Sequence, residues 1–467
     1  MSECTWILKG IRFPLFCLTG EWNVSMKKKI LIVVTVLNLL FIASCGGGGG
    51  GSESDSDNDG GGGTVIPQAT EFVVFAWNDL GMHCLNPTYD TAVILPPYNT
   101  FWTQVVKRGN PPEIVTSGIT VEYEIINNTY SDGKRDYGQF WDYDAVLFGV
   151  DLVPDTGLNL VDPGIHNSLS GQMVLNGDHF QVDGIPLTPV DDSLIWNPYQ
   201  VADITVRDSG GAVIAQTRTT VPTSDEINCS RCHGGNAFLD TLLKHDANNG
   251  TGLVGQTPVL CANCHGSPVL GTNGPGTSGK YLSEAIHEFH ASRGASCYDC
   301  HPGATTQCSR SIAHTAADGN CIACHGQMST VAGEITSGQR IPWEEEPKCS
   351  DCHAGVFQVD TGTTLYRNAK GHGGLYCESC HGSPHAMIPT SEDSDNYQAV
   401  QYQSKAKTIG SCGVCHASSR GNEGEINEFP EEHGGANPER RTACHVCHTE
   451  VSSQTALWPH AYQWRAR

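Results

Sequence analysis

The chain has 467 residues, enough for two or three domains, with an unusual composition: 53 Gly, 21 Cys and 20 His, but only 16% charged residues. Its 27 Lys and Arg stand against 50 Asp and Glu, a formal net charge of -23. Like charges repel, which argues against nucleic acid and anionic lipid surfaces as partners.

The first 44 residues read as upstream sequence and signal peptide. Met26-Lys27-Lys28-Lys29 opens a positive segment, and residues 30–41 form an apolar run too short to span a bilayer comfortably. Met26 is therefore the expected start. Ile42-Ala43-Ser44-Cys45 resembles a bacterial lipobox, which predicts cleavage before Cys45 and a lipid on that cysteine. A plain cleaved signal or a retained anchor are the other readings. Residues 45–64 then form a Gly/Asp-rich tether, because glycine is costly to order and the stretch has nothing apolar to bury.

Residues 65–225 carry a β pattern. Runs 71–77, 119–126 and 201–206 are rich in β-branched and aromatic residues, and Asp132-Gly133, Asn176-Gly177, Asp183-Gly184 and Ser209-Gly210-Gly211 give turn signals between segments. Residues 201–221 read as a hairpin about Ser209-Gly210-Gly211. From 226 to 467 cysteines and histidines recur, aliphatic residues thin out, and one clear helix is expected at 281–291. The fold class expected is α+β: a β-sandwich-like domain over 65–225, then a loop-rich domain with short helices over 226–467.

Eight C-x-x-C-H pentads supply the chemistry. Two thiols three positions apart reach both vinyl groups of one haem as thioethers, and the next histidine lies under the iron. Chance would give on the order of 0.05 such pentads in a chain of this composition. The thioether residues are Cys229, Cys232, Cys261, Cys264, Cys297, Cys300, Cys321, Cys324, Cys349, Cys352, Cys377, Cys380, Cys412, Cys415, Cys444 and Cys447. The proximal ligands are His233, His265, His301, His325, His353, His381, His416 and His448. Eight covalently bound haem c groups follow as the expected cofactors.

Sixth ligands are drawn from the other histidines. The candidates are His245, His287, His290, His314, His372, His385, His433, His460, His445 and His83, so supply exceeds demand and bis-histidine ligation is expected for most or all of the haems. His287 and His290 share a helix face and are suited to different haems. His83, in the string Asn78-Asp79-Leu80-Gly81-Met82-His83-Cys84, is either a ligand reaching out of the β-region or a structural residue; His166 and His179 read as structural. Once pentads, Cys45 and the upstream Cys4 and Cys17 are set aside, Cys84 and Cys308 remain, either as a disulfide or as two thiols.

The string C-E-S-C-H-G-S-P-H-A at 377–386, Asp395-Asn396 and C-G-V-C-H at 412–416 resemble the multihaem cytochromes of metal-respiring bacteria. The lipobox and tether are similar to those of their outer-surface lipoproteins. This resemblance implies extracellular electron transfer through a chain of bis-histidine haems. It also implies partner cytochromes of the periplasm or outer membrane, metals or minerals as acceptors, and a place on the cell surface or on the periplasmic face of the outer membrane. An octahaem oxidoreductase acting on a small nitrogen or sulfur compound is the alternative. Such an enzyme needs an iron with an exchangeable position, whereas every pentad here ends in His.

Overall fold

The computed structural model describes residues 4–8, 11–15, 71–109, 111–303, 305–314, 321–349 and 364–416. Cys45, Cys352, His353, His433, Cys444, His445, Cys447, His448 and His460 lie outside them, and of Cys412 only the backbone is described. Two compact units are distinguished, Met1–Thr64 and Val65–Arg467. In the first, β1 (Cys4–Leu8) pairs antiparallel with β2 (Ile11–Leu15). No helix among the described residues is long and apolar enough to cross a membrane.

The second unit has an α+β fold that is rich in sheet at its N-terminal side. Its strands are β3 (Phe72–Asn78), β4 (His83–Cys84), β5 (Ala92–Val93), β6 (Asn99–Lys107), β7 (Glu113–Ile114), β8 (Ile119–Ile125), β9 (Ser170–Gln172), β10 (Val174–Asn176), β11 (His179–Ile185), β12 (Tyr199–Asp208), β13 (Val213–Ser224) and β14 (Val259–Leu260). One sheet runs β10-β11-β6-β3 with β7 on β6; the other runs β4-β13-β12-β8-β9. Their facing sides share one core. Val74, Phe101, Val105 and Val182 enter it from the first sheet, and Val121, Ile125, Ile204 and Val221 from the second. Alternation along β12 does the sorting: Ala202, Ile204 and Val206 point inward while the residues between them are only half-buried.

β3 departs from simple alternation, and the reason bears on the site. Its sequence Phe-Val-Val-Phe-Ala-Trp is nearly continuous in apolar residues because both faces are covered. Val74 and Ala76 face the sandwich core. Val73, Phe75 and Trp77 pack instead with Leu375 and Tyr376, just before the sixth pentad, and with Val414, inside the seventh.

Other strands pin other pentads. β14 pairs in parallel with β5, Leu260 opposite Val93, immediately before Cys261. β4 pairs in parallel with the end of β13, Cys84 opposite Ser224, five residues before Cys229. Gly109 donates its N–H to the carbonyl of Cys415 at 3.2 Å.

Three local outcomes differ from the sequence reading or add to it. Asp183-Gly184 is no turn but a bulge within β11. Gly184 sits at φ +74°, and a Cβ there would lie 1.7 Å from the carbonyl oxygen of Leu158, so backbone proximity demands glycine. The β-region also holds a helix, α1 (Gln139–Phe148), which burial of Phe140, Trp141, Asp144 and Leu147 on one stripe and a left-handed Gly149 cap explain. The hairpin of β12 and β13 closes as expected.

Candidate haem centres

Each described pentad is a single helical turn or part of one. α2 (Ser230–His233), α5 (Cys321–His325) and α7 (Cys377–His381) are α-helical, while Cys261–Asn263, Cys297–Asp299 and Cys412–Val414 are 3-10 turns. In the first three pentads the histidine N–H bonds back to the carbonyl of the first cysteine at 2.9 to 3.1 Å: His233 to Cys229, His265 to Cys261, His301 to Cys297. One turn therefore sets the two thiols on a common side with the imidazole close beneath.

The pentad histidines meet other histidines. Ring centroids are 6.3 Å apart for His233 and His290, 6.3 Å for His265 and His245, 6.2 Å for His301 and His287, 6.3 Å for His325 and His385, and 5.9 Å for His416 and His372. Every pair joins one pentad to one non-pentad histidine. Two imidazole–metal bonds of about 2.0 Å, plus about 1.2 Å from each nitrogen to its ring centre, place such centroids roughly 6.4 Å apart. The gaps thus match one metal ion held axially between two imidazoles.

The outer nitrogens support that role. Nδ1 of His287 lies 2.7 Å from the Ser283 carbonyl, that of His290 2.8 Å from the Ile286 carbonyl, and that of His385 2.9 Å from the Leu80 carbonyl. Nδ1 of His233 lies 2.8 Å from Asp240 Oδ2 and that of His245 2.9 Å from Thr251 Oγ1. His265 Nδ1 has Ser278 Oγ at 3.0 Å. An acceptor at Nδ1 fixes the tautomer and leaves Nε2 as the ligating atom. Burial pushes His301, His325 and His416 down to about 4, with the facing histidine adding to it in each case. These rings are neutral at pH 7, the form that binds iron. The residues fit haem c.

The helices that carry the facing histidines are α3 (Ala237–Asn249), with Asn236 capping Leu239 N–H, and α4 (Leu282–Ala291). α4 packs on α6 (Met328–Thr336), where Thr336 Oγ1 donates to Glu284 Oε1 at 3.2 Å.

His83 takes another place. Its Nε2 lies 3.0 Å from Asp79 Oδ1, inside the β-region. The same loop nonetheless reaches a pentad partner by its backbone, through the Leu80 carbonyl on His385. Asn78 Oδ1 shapes that loop by accepting from Leu80 and Gly81 N–H. Gly81, at φ +78°, lets it lie against Ser383 and His385. Sequence reasoning chose the loop for its histidine and missed the carbonyl, for which no side-chain signal exists. His314 has Ser311 Oγ at 3.3 Å from its Nδ1, and His179 has Tyr376 Oη at 3.2 Å.

Cys84 and Cys308 are neighbours: Ser224, paired with Cys84, bonds Thr306 Oγ1 at 3.0 Å, and the charge of Cys308 bears on Cys84. Burial raises both thiols, Cys308 to about 11.

Residues 336–417, a segment containing the pentads that begin at Cys349, Cys377 and Cys412, match the family model of cytochrome c7 and related cytochromes c. No curated protein matches. The crystal structure of MtrC from Shewanella baltica OS185 aligns at 13% identity over 57% of this chain and 45% of that one. The aligned part is less than half of that protein, and a TM-score of 0.12 is too low to speak to the fold. The matched segment is less than a fifth of the chain and holds three of its pentads, so the similarity to cytochromes c is one of that segment.

Proposed function

We propose that the chain is an electron relay carrying eight haem c groups, bis-histidine ligated and anchored outside the cytoplasm by a lipid on Cys45. The observation that carries this reading is the set of five facing histidine pairs, each setting a second imidazole opposite a pentad imidazole, where it would fill the other axial position of a haem iron. Haem iron supplies one-electron chemistry between its ferric and ferrous states. The chain's own residues do the rest. Pentad cysteines hold the group covalently, paired imidazoles exclude water and small molecules from the iron, and Nδ1 acceptors hold the rings in place.

With both axial positions filled, substrate binding at iron is blocked while outer-sphere electron exchange remains open, which favours a relay over an oxidoreductase. The partners fitting this role are other electron-transfer proteins of the periplasm or outer membrane and extracellular metal acceptors. The outer membrane, with the haem region at the cell surface, is the location that the lipobox and the resemblance support. The remaining cysteines, Cys84 and Cys308, are free thiols in the structure; a disulfide between them is the form that an oxidising compartment would favour.

The test is spectroscopic. Pyridine haemochrome together with intact mass is expected to give eight haems on a chain starting at a lipidated Cys45. Electron paramagnetic resonance of the oxidised protein is expected to be low-spin throughout. A substantial high-spin signal that responds to nitrite or hydroxylamine would overturn the relay in favour of the oxidoreductase.

A further inference from the structure

We infer that the haems of the first and third pentads, not those of consecutive pentads, form the most closely packed pair, with the haem of the fourth pentad next to the third. The inference rests on reading the facing histidines as axial pairs and goes beyond it by assigning neighbours.

α4 carries the argument. His287 and His290 stand three positions apart on one face of this helix, where Cβ atoms are about 5–6 Å apart. His287 faces His301 of the third pentad and His290 faces His233 of the first. Two irons are thereby hung from adjacent positions of one rigid element. On their other side the pentads themselves touch, through an ion pair between Arg231 and Asp299. Both ligands of each haem, and the attachment turns of both, are thus neighbours of their counterparts. The second pentad is tied to the first less directly: its His265 faces His245 on α3, and α3 in turn reaches the first pentad, with Asp240 on His233.

The fourth pentad reaches the third through helix packing. α6 begins three residues after His325 and lies along α4. Arg340, just beyond α6, donates to the His325 carbonyl at 3.3 Å. Haems held by these residues would offer a path for an electron supplied by a donor cytochrome from the first pentad to the third and then the fourth.

The experiment uses the full-length holoprotein and the variants His287→Met and His290→Met. Near-infrared magnetic circular dichroism is expected to move one haem in each variant from bis-histidine to histidine–methionine ligation. In the oxidised unsubstituted protein, the two neighbouring low-spin irons share a spin-coupled signal worth two haems. Either variant is expected to remove that same signal. Loss of two different, single-haem signals would overturn the pairing, while ligation bands that stay put in both variants would overturn the axial-pair reading instead. Should a variant fail to assemble, a structure of the unsubstituted holoprotein decides. The iron–iron distance between first and third haems is expected to be shorter than that between first and second, and the reverse order would sink the inference.

Discussion

The hydroxyl of Tyr402 accepts from the backbone N–H of Val74 at 3.0 Å and donates to the carbonyl of the same residue at 2.9 Å. Val74 lies on the outer edge of β3, where no further strand follows. Gln398 treats Ala76 in the same way, taking its N–H at 3.0 Å and donating to its carbonyl. One helix, α8 (Tyr397–Gln403), thus replaces a missing strand with side chains and closes the edge against stray pairing.

Tyr402→Phe is therefore expected to destabilise the protein by about 1–3 kcal/mol, since it strands two buried backbone groups while keeping the ring. Urea unfolding should show the loss, and amide exchange at Val74 should accelerate. Haem content by pyridine haemochrome should not change. Equal midpoints for the two proteins would refute the edge role.

What could be read in advance was what is local. A pentad carries its chemistry within five residues, and the β12–β13 hairpin announces itself by alternation and a glycine turn. The helix over 281–291 was legible for the same reason. α1 was missed, although Phe140, Trp141, Asp144 and Leu147 repeat at helical spacing, because it lies within a region whose overall pattern is β. The histidine pairing was not legible at all. His325 and His385 lie sixty positions apart, and their meeting depends on how α6 and the 383–386 loop pack. The buried second face of β3 was hidden likewise, since its covering residues come from 366–416.

Asp240 accepts from Nδ1–H of His233 at 2.8 Å and also takes Lys244. These hydrogen bonds, that of Lys244 first, hold its carboxyl below the usual range, so it is charged at neutral pH. A carboxylate at Nδ1 makes the imidazole a stronger donor and favours ferric iron. Asp240→Asn is expected to raise the midpoint potential of one haem and leave the others in place. Spectroelectrochemical titration checks this, and superimposable titrations for the two proteins would count against it.

Arg310 is the largest fully buried side chain, and its guanidinium forks onto Asp395 at 2.7 and 3.1 Å while donating to the Gly81 carbonyl at 2.8 Å. It ties the 308–312 segment to the start of α8 and to the loop that orients His385. Removing one partner leaves an uncompensated buried charge. Arg310→Met is expected to cost about 3–5 kcal/mol, and Arg310→Met with Asp395→Leu to cost less than the single change. Urea midpoints of the three proteins test it. A double variant worse than the single one would contradict the assignment.

Asp183 gives the pH dependence a definite sign. It is buried on β11, with Gln181 Nε2 at 2.9 Å and Thr100 Oγ1 at 3.4 Å. Burial, followed by the charge of Asp79, raises it from 3.8 to about 6, with His83 opposing weakly. The folded state therefore holds this proton more tightly than the unfolded state does. Its stabilising contribution is complete below about pH 3.8 and lost as pH rises through about 6. At pH 7 the folded protein carries a buried carboxylate at a cost on the order of 2–3 kcal/mol. Asp183→Asn keeps the shape and the Gln181 contact but removes the charge. The variant is expected to be more stable than the parent at pH 7 by up to that amount, and the advantage should shrink steadily as pH falls from 6 towards 4. Other titrating groups affect both proteins alike, so the difference between their urea midpoints isolates this carboxyl, and a difference that does not vary with pH would show that Asp183 is not the group responsible.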